Sequence, residues 1–192
     1  QALDLMIEFT HLVPDFCATF NPIDTAEALA DDGPFSHAIA LYGYTNYGRV
    51  GFRKNLLSYD DIPSFDGQSS GACLGGTGIA VSSATKNPEA AFKAALTLAK
   101  GDVQSTVYTK AGGQPGNLRA WKSRECNEIT NYFFRNTLRT LERAWIRPHV
   151  IGWPDIQMEI SKIVHPSLVA KKLTGKEVGL IAELYDRHAV IE

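Results

Sequence analysis

"TGIAVSSATKNPEAAFKAALTLAKG", Thr77–Gly101, joins two different periodicities. "TGIAVSS" is a short apolar run that reads as a strand. "KNPEAAFKAALTLAKG" reads as a helix. Asn87 stands at the cap position, and Pro88 at N1, where a missing N–H costs nothing. Ala91, Phe92, Ala95, Leu96 and Leu98 form a broad apolar side, and Gly101 ends the segment. A strand feeding a helix is the unit of α/β layering.

Working outward, two more strands are expected upstream. "SHAIALY", Ser36–Tyr42, reads as buried, and "LLSYDDIP", Leu56–Pro63, reads as a short strand stopped by proline. "SFDGQSSGACLGG", Ser64–Gly76, is a glycine- and serine-rich loop. Near the start, "QALDLMIEFTHLV" is amphipathic and ends before Pro14, while "NPIDTAEALA" opens a second helix with Asn21 as cap and Pro22 in its first turn. Downstream, "DVQSTVYTKAG" looks helical and "AGGQPGN" is a tight turn. "NEITNYFFRNTLRTLERAW" reads as one long helix with Ile129, Phe133, Leu138 and Leu141 on its apolar side. "IRPHVIGWP" is a loop, "DIQMEISKIVHPSLVAKKL" is one helix or two joined at Pro166, and "GKEVGLIAELYDRH" is the last helix. The fold class expected is α/β.

Charge and cysteine usage narrow the function classes. Lys and Arg number 19 against 21 Asp and Glu, a formal charge of -2. Arg135, Arg139, Arg143 and Arg147 stand four residues apart. With Glu142 among them and no basic arm beside them, they read as a solvated helix face and not as a nucleic-acid stripe. Cys17, Cys73 and Cys126 supply no disulfide framework and no metal-ligand spacing. No apolar run reaches the roughly 18 to 20 residues that cross a bilayer.

No catalytic set converges. His11, His37, His149, His165 and His188 are scattered, and no serine occupies a nucleophile elbow. Asp60 and Asp61 are adjacent, so extended geometry turns their carboxylates apart. The Lys of "LTGKEV" lacks the glycine-rich loop of a nucleotide site, and "GGTG" opens a strand where a phosphate loop would open a helix. No enzyme activity, metal or cofactor is expected.

"YGYTNYG", Tyr42–Gly48, sets three phenols beside Thr45 and Asn46. Such a run supplies flat rings and neutral hydrogen-bonding groups within a few residues, the combination that suits a small ligand with apolar faces and hydroxyls. Arg49 and Arg53 follow closely, and either can reach a carboxylate on a ligand. Trp121 and Trp145 lie in helical patterns and read as packing groups.

The stretch "IPSFDGQSSGACLGGTGIAVSSATKNPEAAFKAALTLAKGDVQSTVYTKAGGQPG", Ile62–Gly116, resembles the extracellular solute-binding proteins, family 1, the sugar-binding components of ABC importers. The resemblance covers nearly the whole chain but only the C-terminal part of the family's usual length. It implies a type II periplasmic-binding-protein fold, mostly its C-terminal lobe, with elements completing the N-terminal lobe. Residues 1–74 would be C-terminal-lobe helices and strands. Residues 75–118 would hold a crossing strand and helices of the N-terminal lobe, and residues 119–192 a helical return. It further implies a chain truncated relative to the family, sugar binding and delivery to a membrane permease, a periplasmic or extracellular location, and possible self-association through exposed apolar surface. The ligand residues it implies are Tyr42, Tyr44, Asn46, Tyr47, Gly76, Thr77, Gln114 and Trp153. One departure is Thr77, where the family often carries tryptophan. The alternatives from other classes are a carbohydrate-active enzyme and the effector-sensing domain of a regulator.

Overall fold

The computed structural model describes residues 1–68, 71–149 and 151–188, and these divide into two units, Pro22–Ile146 and the pair of segments 1–21 and 147–192. The larger unit holds α2 (Pro22–Ala30), α3 (Pro88–Ala99), α4 (Gly101–Val103), α5 (Leu118–Trp121), α6 (Arg124–Glu128) and α7 (Phe133–Glu142). The smaller holds α1 (Ala2–Thr10), α8 (Trp153–Val169) and α9 (Glu177–His188).

The α/β expectation is overturned. No strand forms among the described residues, and the nearest approach to one is an isolated parallel bridge between Cys73 and Trp145. Strand-forming side chains are not sufficient, because a strand closes its backbone hydrogen bonds only on a neighbour. "SHAIALY" fails first: Ala40 adopts φ 55, which breaks the extended run, and Ser36 to Ala40 are exposed. "TGIAVSS" is exposed throughout, with Ile79 and Val81 facing solvent. "LLSYDDIP" forms no ladder and is held one bond at a time, Leu57 N donating to Tyr47 O and Ile62 N to the Thr140 hydroxyl. With no sheet, the lobed periplasmic-binding-protein fold is absent. The resemblance to that family, and the sugar-binding, transport and permease-partner roles it implied, have no scaffold here.

The helices follow their local signals more closely. α2 begins at Pro22 and α3 at Pro88, as proline at the first position dictates. Asn87 does occupy the cap position of α3, but its side chain makes no capping bond, and Phe92 and Leu96 on the expected apolar side are exposed. α3 ends at Ala99 with an extended Lys100, just before Gly101 as expected, and Gly101 then opens α4, which runs on through a π-helical turn, Gln104–Tyr108. Asn127–Trp145 is not one helix. α6 closes at Glu128, Asn131 and Tyr132 take φ 51 and 59, and α7 starts afresh at Phe133. Trp145 accordingly lies beyond the helix, bonded to the chain at Ala72 and Leu74. Pro166 sits inside α8 without splitting it. The expected loops run through 69–70 and 150, which lie outside the described residues.

Aromatic packing holds the larger unit. Trp121, Phe133 and Phe134 are buried with Ala120 and Cys126; the Trp121 and Phe134 rings lie 5.1 Å apart, and Tyr59 meets Phe133 edge-on at 4.8 Å. Tyr59 also borders a second cluster, in which Tyr47 covers Ala26 and Ala30 of α2. In the smaller unit α8 packs against α1 and α9, burying Ile156, Val164 and Leu184. The buried Ser167 hydroxyl donates to Glu177 at 2.6 Å, and Thr174 and Gly175 donate to the same carboxylate. These bonds, the Ser167 hydroxyl foremost, hold the Glu177 carboxyl down to about 2.

Candidate functional site

The residues that the sequence singled out are partly gathered. Gln114 is the organiser: its Oε1 accepts from Thr45 N at 3.0 Å and its Nε2 donates to Gly43 O at 3.2 Å. This pins the tyrosine segment to the 112–114 turn, with Asn46 Oδ1 beside Gly112. Tyr42 and Tyr44 are partly exposed on that segment, and Gly75 lies against the Tyr42 ring. Tyr47 instead points inward, 5% exposed, and its hydroxyl donates to Glu27 at 2.7 Å. Gly76 has open space around it, and Thr77 is exposed. Trp153 belongs to the smaller unit, where its ring centroid lies 6.5 Å from that of Tyr185.

The two cations beside this segment are already engaged. Arg53 forks onto both oxygens of Glu27, and Arg49 Nη2 donates to Thr109 O at 2.6 Å. Burial pushes the Arg49 guanidinium below its usual value. Thr109 closely follows the π-helical turn, where a cation meets the negative end of the helix.

A different set of residues makes a recess. Trp121, Lys122, Arg124, Asn127, Tyr132, Arg135 and Leu138 line a groove of about 300 Å³. Three short elements build it, each with a local device. Asn117 caps α5, its side chain accepting from Arg119 N at 3.0 Å, and Ser123 caps α6, accepting from Cys126 N at 3.4 Å. Asn127 then ties the three together. Its buried Nδ2 donates to Trp121 O at 2.8 Å and Ser123 O at 2.9 Å, and its Oδ1 accepts from Arg135 N at 2.8 Å.

The Asn127 amide is thus fixed before any ligand arrives. The left-handed pair Asn131–Tyr132 adds a second constraint. A bulky residue at positive φ costs about 1–2 kcal/mol, and it persists only when its surroundings enforce it. Here Asn131 Nδ2 donates to Leu57 O and the Ser58 hydroxyl, which holds the turn. The result sets the Tyr132 ring under the Arg135 guanidinium, 4.3 Å from its centroid.

Electrostatically the groove is positive. Lys122, Arg124 and Arg135 are all exposed. Glu128 pairs with Arg124 at 3.3 Å. Among the described residues neither Lys122 nor Arg135 meets a carboxylate; Arg135 Nε donates only to Asn136 Oδ1. The ladder's next two members are tied to a turn: Arg139 Nη2 donates to Gly67 O, and Arg143 donates to the Gln68 amide oxygen.

No family model matches the chain. No curated protein and no solved structure matches it either.

The sequence reading missed this groove. The available signals were Lys122, Arg124 and Arg135 flanking aromatic residues, but reading 127–145 as one helix carries the arginine ladder down a solvated face. The break at Asn131–Tyr132 is what turns Arg135 back toward α5 and α6. Among the described residues no cluster of His, Cys, Asp or Glu is placed to hold a metal ion, and no helix is long and apolar enough to cross a membrane.

Proposed function

We propose that the Pro22–Ile146 unit is a binding module that captures an anionic small molecule in the groove between α5, α6 and α7, without chemically transforming it. One observation carries this reading. Two exposed cations without carboxylate partners among the described residues, Lys122 and Arg135, meet a third, Arg124, on one recess. Like charges brought together repel, and an anion relieves that repulsion while gaining charge-assisted hydrogen bonds. The fixed Asn127 network holds the backbone around the recess in place before a ligand arrives. Leu138 and the edge of Trp121 offer apolar wall to the rest of a ligand.

The groove contains cations, one amide and a phenol, and neither a carboxylate base nor a nucleophilic thiol lines it. Recognition is therefore the role assigned to it. Calorimetric titration of the chain with sulfate, phosphate, citrate and benzoate tests this reading. At least one anion should bind, and Arg135→Gln should weaken it about tenfold to a hundredfold, the loss expected for a hydrogen bond to a charged group. Circular dichroism should show the variant folded. Absence of saturable binding by all four anions would overturn the proposal.

A further inference from the structure

We infer that the anion is the dianion of a small-molecule phosphate monoester; this rests on the reading of the groove just given.

The charge balance points first to a dianion. Three cations line the recess and a single carboxylate, Glu128, sits on one of them, so two positive charges remain to be met. A monocarboxylate would leave one of them uncompensated.

Placement on three elements points to a tetrahedral group. Lys122 follows α5, Arg124 is the first residue of α6, and Arg135 lies in the first turn of α7. The cations thus come from three separate elements and not from one helix face. A planar carboxylate is satisfied by one guanidinium fork. A phosphate monoester presents three terminal oxygens on a pyramid, and each can accept from a donor supplied by a different element. Arg135 is prepared for that role: Tyr132 supports one face of its guanidinium and Asn136 takes its Nε, which leaves the Nη pair to the ligand.

Extent points to a small molecule. The recess is about 300 Å³, at the lower end of small-ligand sites. Arg139 and Arg143, farther along the ladder, turn to Gly67 and Gln68 and do not line the recess.

The test exploits the second ionisation of a phosphate monoester, near pH 6. The probes are phenyl phosphate, benzoate and sulfate, titrated into the full chain from about pH 5 to about pH 8, a range that brackets that ionisation. Phenyl phosphate should bind about tenfold tighter than benzoate above pH 7 or so, as a second charge-assisted bond requires. Its affinity should rise as pH passes through about 6, while sulfate, dianionic throughout, should show no such rise. The groups facing the ligand are Lys122, Arg124, Arg135 and Tyr132, with Glu128 beside Arg124; no histidine lines the recess, so a midpoint near 6 belongs to the ligand.

Lys122→Gln and Arg124→Gln should each weaken phenyl phosphate about tenfold and benzoate far less. Equal affinity for benzoate and phenyl phosphate, or a flat pH profile for phenyl phosphate, would overturn the phosphate assignment and leave the anion groove standing. A phosphoserine peptide binding much more tightly than phenyl phosphate would overturn the small-molecule assignment. Failure of phenyl phosphate alone would overturn the phosphate assignment, and failure of all three probes together with inorganic phosphate and citrate would overturn both readings.

Discussion

The Tyr47 hydroxyl donates to Glu27 Oε1 at 2.7 Å, and Arg53 forks onto both oxygens of the same carboxylate, joining α2 to the loop that follows the tyrosine segment. The Arg53 guanidinium first, and then the Tyr47 hydroxyl, hold the Glu27 carboxyl down to about 2 from 4.5. The folded chain therefore binds fewer protons at this site than the unfolded chain between those values. Stability from the pair should be complete above 4.5 and lost as pH falls through about 2. Urea midpoints across that window should fall less steeply for Glu27→Gln than for the native chain. Glu177→Gln should show the same flattening, because the Ser167 hydroxyl and its neighbours hold that carboxyl equally low.

The alkaline limb carries the opposite sign. Burial, reinforced by Glu27, pushes the Tyr47 phenol up to about 12, and burial does the same for Tyr59. Stability from keeping these phenols protonated should be present below 10 and be lost as pH rises toward 12. Ultraviolet titration should show phenolate forming late at Tyr47 and Tyr59, with Tyr47→Phe removing one late step.

Gln114→Ala should unmoor the tyrosine segment. It strands the N–H of Thr45, a residue 1% exposed, and removes a donor from Gly43 O. A loss of about 1–3 kcal/mol is expected, the cost of an unsatisfied buried donor. A chemical denaturation midpoint equal to that of the native chain would contradict the clamp.

Gly48→Ala should be poorly tolerated for a purely steric reason. A Cβ at that position would stand 2.6 Å from Thr130 O, a backbone atom that cannot swing away. Overpacking of this kind costs about 1–3 kcal/mol. Gly76→Ala is the control, since nothing stands near its Cβ position, and its melting temperature should stay close to native.

Lys171→Gly should stabilise. Lys171 has φ 53 just past α8, with its N–H bonded to Leu168 O and that of Lys172 to Ser167 O, the closing pattern in which glycine is preferred. Relief of the left-handed strain contributes about 1 kcal/mol. The ion pair with the exposed Asp15 is lost and offsets only part of that gain. A lower urea midpoint in the variant would show that the pair outweighs the backbone.

Helix starts were legible because their causes are local. Pro22 and Pro88 open α2 and α3, Trp121 is the packing group its context suggested, and "GKEVGLIAELYDRH" forms α9. "TGIAVSS" and "SHAIALY" were misleading for the opposite reason. Their side chains fit a pleated surface, but whether a strand exists depends on a neighbour that the run itself does not encode. The loss of those strands took with them the fold and function that the family resemblance implied.

The groove shows the same division. Residue types and local spacing determined which segments coil, where prolines start them, and that bases gather between Arg119 and Arg147. Only tertiary structure decided which bases face a common recess. Asn127 bonds to Trp121, Ser123 and Arg135, and the left-handed turn at Asn131–Tyr132 is held from Leu57 and Ser58, more than seventy residues away in sequence. Local propensity acts over a helical turn, whereas the direction of a side chain at a junction is set by whichever distant backbone group closes its hydrogen bonds.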